Sequence, residues 1–154
     1  MLKTGDRAPD FNLLNSEGRC VALADFQGKT LVLYFYSRNN TAGCTKEAIG
    51  FKDLHEEFAN RQAQIIGVSP DKHSSHQRFR EKHDLPFELL SDPEREVARR
   101  YGVLGEKKMY GKVKLGIIRT TFIIDPEGQI AAVITGVKAD EHPQKALDAL
   151  GNLG

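Results

Sequence analysis

The sequence predicts an α/β fold in which a mixed central sheet carries helices on both faces. Three observations lead there. Two unbroken apolar runs, "TLVLYFYS" (30–37) and "AQIIGVSPD" (63–71), fit strands covered on both sides. Each is followed by a segment of helical character, so the two strands are parallel members of a β-α-β unit. Late in the chain, "RTTFIID" (119–125) and "QIAAVITG" (129–136) are separated by little more than "PEG", which makes an antiparallel pair.

The remaining elements follow in order. "FNLLNSEGRCVALADF" (11–26) reads as two short extended pieces around Ser16-Glu17-Gly18, with Gly18 supplying the positive φ of the turn, and so predicts an N-terminal β-hairpin. From Ala42 to Asn60, Ile49, Phe51, Leu54 and Phe58 recur at helical spacing, predicting one long helix. "HSSHQRFREKHD" (73–84) predicts a second helix, its Ser and Asp content suiting the entry, and "PFELLSD" (86–92) a short strand. "PEREVARRYGV" (93–103) predicts a third helix that opens with Pro93 in its first turn and closes before Gly102. "GEKKMYGKVKLGII" (105–118), rich in Gly and Lys and without helical periodicity, is read as a loop, and a last helix is expected over His142–Leu150. This order of elements is that of a thioredoxin-like fold.

Composition narrows the class of molecule. At 154 residues with no linker or repeat, the chain is expected to form one domain over 1–154. Its 22 basic and 21 acidic residues nearly cancel, which argues against bulk attraction to nucleic acid or a membrane surface. The longest apolar run, "LVLYFY", is far short of the roughly 20 residues that span a bilayer, and "MLKTGDRAPDF" breaks before a signal-like apolar stretch develops. The expected location is therefore the cytoplasm. Two cysteines 24 positions apart form neither a disulfide framework nor a metal-ligand spacing, so each needs its own explanation.

Cys44 lies a few residues beyond the end of a central strand, where open α/β sheets bind ligands. If the helix starts near Ala42 or Gly43, the sulfur sits in its first turn, where free N–H groups and the helix dipole favour a thiolate. Gly43 leaves room for a small substrate. Thr41, three residues upstream, offers a hydroxyl that either caps the helix or donates to a bound oxygen, and spacing allows both. Arg119, entering "RTTFIID", is a candidate cation beside the sulfur, with Glu47 to orient it; from the residues alone Arg119 is read rather as a surface arginine paired with a carboxylate, and a solvated helix residue competes for Glu47. The competing reading of Cys44 is a small buried core residue.

Together, "YFYSRNNTAGCTKEAIGF", "GVSPDKHSSHQRF", "LPFELLSD", "VARRYGV" and "GIIRTTFIID" resemble the peroxiredoxins, in particular their bacterioferritin-comigratory-protein or Q-type branch, over nearly the whole chain and in the same order. The resemblance implies a thiol peroxidase of thioredoxin-like fold. Cys44 is then the peroxidatic cysteine, with Thr41, Arg119 and Glu47 around it. Its thiolate attacks a hydroperoxide O–O bond and becomes a sulfenic acid, with no cofactor: neither metal, flavin nor haem is required. A thiol donor, whether thioredoxin, glutaredoxin or a low-molecular-weight thiol, restores it, and the branch resembled favours a monomer or weak dimer.

Two positions depart from the family pattern. The usual proline seven residues before the cysteine is Ser37, and Ile49 stands where many Q-type members carry a resolving cysteine. Resolution from outside the helix is then required. Cys20, in the alternating "RCVALADF", is read as a small buried hydrophobe rather than a resolving thiol. His73, His76 and His83 share a helix face and are read as solvated; Lys107, Lys108, Lys112 and Lys114 are read as a solvated loop, with guidance of an acidic reductase as the competing role. Two other functions compete: a redox-sensing or chaperone-like binding protein, favoured by Ser37, and a thiol-disulfide reductase, disfavoured because no C-x-x-C occurs.

Overall fold

The structure, a computed structural model, describes residues 1–153. Its main sheet contains β1 (Asn12–Asn15), β2 (Cys20–Ala22), β3 (Thr30–Phe35), β4 (Ala63–Ser69), β5 (Glu88–Ser91), β8 (Thr120–Ile124) and β9 (Ile130–Thr135), in the order β2-β1-β5-β4-β3-β8-β9. A separate ribbon pairs β6 (Leu104–Met109) with β7 (Lys112–Ile117). The helices are α1 (Ala42–Asp53), α2 (His55–Asn60), α3 (His73–His83), α4 (Glu96–Arg100) and α5 (His142–Asn152). β3, β4 and β5 run parallel, joined by helical crossovers; β8 adds antiparallel to β3 and β9 antiparallel to β8, and the N-terminal hairpin adds antiparallel to β5. This is the predicted thioredoxin-like arrangement of mixed sheet and two helical layers.

Alternation along β3 decides what lies on each face. Leu31, Leu33 and Phe35 join a core with Ile66, Leu90, Val97 and Tyr101, under α4 and the N-terminal segment. Val32, Tyr34 and Tyr36 join the other with Cys44, Ala48, Phe51 and Phe58, under α1 and α2. The second core seats the cysteine helix: Tyr34 stacks on Phe51 with centroids 4.6 Å apart, a pairing worth about 0.5–1.5 kcal/mol beyond area burial. Gly67 on β4 makes room for that ring, since a Cβ there would lie 2.7 Å from Tyr34 Cζ.

Four local expectations need correction. The predicted long helix breaks at Leu54, whose ψ of 5° departs from helical geometry and re-aims α2 so that Phe58 is buried beside β4. Within α1, Ile49 is 38% exposed, so it lies off the core-facing stripe. The third helix begins at Glu96, not in the turn holding Pro93: the Asp92 carboxylate accepts from Val97 N–H at 3.3 Å and Ala98 N–H at 2.9 Å, and Arg95 takes a left-handed φ of 56° between them.

The expected loop at 105–118 is instead the β6–β7 hairpin, in register from Leu104↔Ile117 to Met109↔Lys112. Tyr110 (φ 53°) and Gly111 (φ 76°) supply the two positive-φ residues of a tight turn. Cys20 is exposed, not buried, because on the edge strand β2 its neighbour Val21 turns toward the core.

Candidate active site

β3 delivers the chain to the site, and a polar network then fixes its path. The Asn39 N–H donates to Asp71 Oδ2 at 2.8 Å, and Asn39 Oδ1 accepts from the Tyr36 hydroxyl at 2.6 Å. The Asn39 amide also meets His76 Nδ1 at 3.0 Å, while His76 Nε2 lies 3.3 Å from Ser69 Oγ. His76 is fully buried, contrary to its reading as solvated, and burial lowers its pKa to about 4, keeping the ring neutral. Asp71 serves this loop rather than capping α3, whose start at Lys72 has no side-chain cap.

After Asn40, which turns through a φ of 66°, Thr41 occupies the N-cap position in extended geometry and α1 begins at Ala42. Cys44 is thus the third helical residue, as predicted, and only 1% of its surface is exposed. The Thr41 hydroxyl makes no cap hydrogen bond; it donates to Arg38 O at 3.0 Å. That hydroxyl has one proton, so turning it toward the sulfur or a bound oxygen gives up the bond to Arg38.

β8 enters from the other side of the sequence. Its pairing with β3, Phe35↔Thr120, brings Arg119 to the strand end where α1 starts. Arg119 Nη2 lies 3.3 Å from Cys44 Sγ, and Nη1 donates to Glu47 Oε1 at 2.6 Å. The predicted quartet of Cys44, Thr41, Arg119 and Glu47 is therefore brought together. Glu47 is fully buried, which excludes a solvated helix residue.

Burial pushes the Cys44 thiol up, but the Thr41 hydroxyl, the Arg38 backbone and Arg119 outweigh it and bring the pKa down from 9.0 to about 7. Burial raises the Glu47 carboxyl to about 8 against the pull of Arg119. Burial also disfavours the Arg119 guanidinium, yet Glu47 and Cys44 hold it above its ordinary value. The site thus keeps one permanent cation against a sulfur that ionises near neutral pH.

Ser37, already marked by the sequence as a departure from the family pattern, borders the sulfur, and two neighbours, His142 and Thr121, escaped the sequence reading. Ser37 Oγ lies 3.7 Å from Cys44 Sγ. His142, at the start of α5, is buried with Nδ1 2.9 Å from Thr121 Oγ1 and 3.8 Å from Glu47 Oε2. Burial and Arg119 lower its pKa to about 4, so it stands neutral behind the Glu47 carboxyl. Nothing in the pattern around "DEHPQ" signals this, because the contact depends on α5 packing across α1. Shape alone points elsewhere: the wide cleft around Thr30, Gln64 and Pro126 opens at the opposite end of β3, far from the sulfur.

Comparison with known proteins agrees with this geometry. Residues 4–133 match the model of the AhpC/TSA family. The chain is 45% identical over 152 residues to Peroxiredoxin Bcp of Bacillus subtilis, covering 99% of this chain and 97% of that protein. A mutant of Xanthomonas campestris Peroxiredoxin Q superposes with a TM-score of 0.92 at 38% identity, covering 99% of this chain and all of the other. Another structure, of the bacterioferritin comigratory protein of the same organism, concerns its alkyl peroxide reduction activity; it gives a TM-score of 0.88 at 39% identity over 93% of this chain and 91% of the other. A buried cysteine poised to ionise against an arginine, in a thioredoxin-like frame shared along the whole length with these proteins, makes the chain a member of the AhpC/TSA family: a peroxiredoxin of the bacterioferritin-comigratory, Q-type branch.

Proposed function

We propose that the chain reduces hydrogen peroxide and organic hydroperoxides through Cys44 alone. The observation that carries this reading is the Arg119 guanidinium 3.3 Å from a first-turn sulfur whose pKa is drawn down to about 7. The thiolate attacks the distal oxygen of the hydroperoxide; the S–O bond forms as the O–O bond breaks, and the electron pair leaves on the alkoxide, which takes up a proton. Cys44 becomes a sulfenic acid. Arg119 holds the peroxide oxygens as charge develops on them, Glu47 holds Arg119, and the Thr41 hydroxyl turns from Arg38 O to the bound peroxide.

An external thiol then attacks the sulfenic sulfur with loss of water, and a second thiol releases Cys44 from the mixed disulfide. An outside donor is supported by the position of Cys20, exposed on β2 and four strand positions from β3 in the sheet, roughly 19 Å at the usual spacing. A disulfide needs Cα atoms within about 7 Å. Ile49 offers no thiol either. The donor is thioredoxin, glutaredoxin or a low-molecular-weight thiol, and the chain works as one domain over 1–154, a monomer or weak dimer, in the cytoplasm. Among the described residues no helix is long and apolar enough to cross a membrane.

The test is Cys44→Ser beside Cys20→Ser. Loss of peroxide consumption in the first and its retention in the second are expected, with one oxygen gained on Cys44 after stoichiometric peroxide. Retained turnover in Cys44→Ser would overturn the mechanism.

A further inference from the structure

The position seven residues before the cysteine, usually proline in this family, is Ser37 here, and its side chain is not idle. Ser37 is exposed, yet its Oγ lies 3.7 Å from the Sγ of a cysteine that is only 1% exposed. Sulfur accepts hydrogen bonds at longer range than oxygen, so this separation is a contact between hydroxyl and sulfur on the side of the site open to water. A proline there has no donor to offer and presents only a ring. We propose that Ser37 is a catalytic residue of this chain, donating its hydroxyl proton in a hydrogen bond to the Cys44 thiolate and, after oxidation, to the sulfenic oxygen.

The groups around the sulfur leave this role open. Arg119 supplies the charge and divides its nitrogens between Cys44 and Glu47. The Thr41 hydroxyl also lowers the Cys44 pKa, but its single proton is shared with Arg38 O, to which it donates at 3.0 Å. Among the described residues Ser37 Oγ makes no other side-chain hydrogen bond, so its proton is free to follow the sulfur through the cycle. Because Ser37 sits at the surface, the hydroxyl exchanges with water without any opening of the fold. The site therefore has a polar lip at this position, and oxidation adds an oxygen to an atom that already faces a donor.

This inference rests on Cys44 being the reacting thiol, but its test reads the contact itself. The thiolate ultraviolet absorbance of Cys44 is titrated in the parent, Ser37→Ala, Ser37→Thr and Ser37→Pro, with Cys44→Ser as the baseline that removes the Cys20 signal. The expected result is a pKa raised by about half a unit to one unit in the alanine and proline variants, as for loss of one neutral donor, with the threonine variant back at the parent value. Single-turnover oxidation by hydrogen peroxide near neutral pH slows in the same order, up to about fivefold. Titrations of Ser37→Ala and Ser37→Pro that superpose on the parent overturn the proposal whatever their rates. If Cys44→Ser kept consuming peroxide, the proposed function would fall while the titration still decided whether Ser37 donates to the sulfur.

Discussion

Replacing Arg119 with methionine keeps a long side chain but removes the guanidinium that touches the sulfur at 3.3 Å. A hydrogen bond from a charged donor contributes about 1.5–3 kcal/mol, and about 1.4 kcal/mol is one pKa unit, so the Cys44 thiol should climb from about 7 by about one to two units. Near neutral pH the thiolate then falls from about half of the molecules to between about a tenth and a hundredth. Loss of the donor to the developing oxygen charge adds a further factor of about 10². Together these predict single-turnover oxidation by hydrogen peroxide about 10³-fold slower, of which raising the pH recovers only the ionisation part. The fold survives, because Glu47, raised by burial to about 8, keeps its proton when its partner is lost. The two measurements are thiolate absorbance against pH and stopped-flow oxidation. A titration midpoint still at the parent value would refute the claim that Arg119 sets the ionisation of Cys44.

The other expectations concern the surroundings of the sulfur. Glu47→Gln keeps an acceptor for Arg119 but no carboxyl to deprotonate. In the parent, the Glu47 pKa is raised from 4.5 to about 8, so its contribution to stability is present below 4.5 and lost as pH rises through 8. Denaturation across that range should show the variant gaining on the parent with pH, while peroxide turnover, little changed below pH 8 where the parent carboxyl is mostly protonated, falls behind the parent above it, where Glu47 becomes a charged anchor for Arg119. His76 shifts the other way. Its pKa falls from 6.5 to about 4, so the folded state loses stability as pH drops through that window, by about 3 kcal/mol at the acid end. His76→Gln should flatten the acid limb of the stability profile, and an unchanged slope would remove His76 as its source. Gly111→Ala meets no atom within 4 Å but must adopt a φ of 76°, at about 1–2 kcal/mol; amide exchange in β6–β7 should quicken about tenfold or more while β3 amides stay protected.

Strands were legible where burial is symmetrical. β3 and β4 bury nearly every side chain, so an unbroken apolar run identifies them, and the parallel-then-antiparallel order of the sheet follows from connection lengths. The β6–β7 ribbon escaped because Val113 and Leu115 face water, each more than half exposed, and the Lys and Gly around them resemble a loop. The alternation of Val113, Leu115 and Ile117 and the Tyr110-Gly111 pair were the available signals. At the site, family resemblance brought Arg119 and Glu47 forward where periodicity could not, since a contact across 75 residues leaves no local trace. His142 and the Asn39–His76 network carried no signal at all. Both are buried polar groups, and polar letters read as surface until a partner is found.

The pairing of Phe35 with Thr120 has a consequence for when the protein becomes reactive. Until β8 zips against β3, Cys44 has only its local partners Thr41 and Arg38 and lacks its cation, and bringing Arg119 to it means closing a loop of 75 residues, an entropic cost of about 4 kcal/mol. A nascent or unfolded chain therefore passes through an oxidising environment with its sulfur largely protonated and slow. Full reactivity toward peroxide appears only once the strands are in register, so the rate of Cys44 oxidation doubles as a clock for folding.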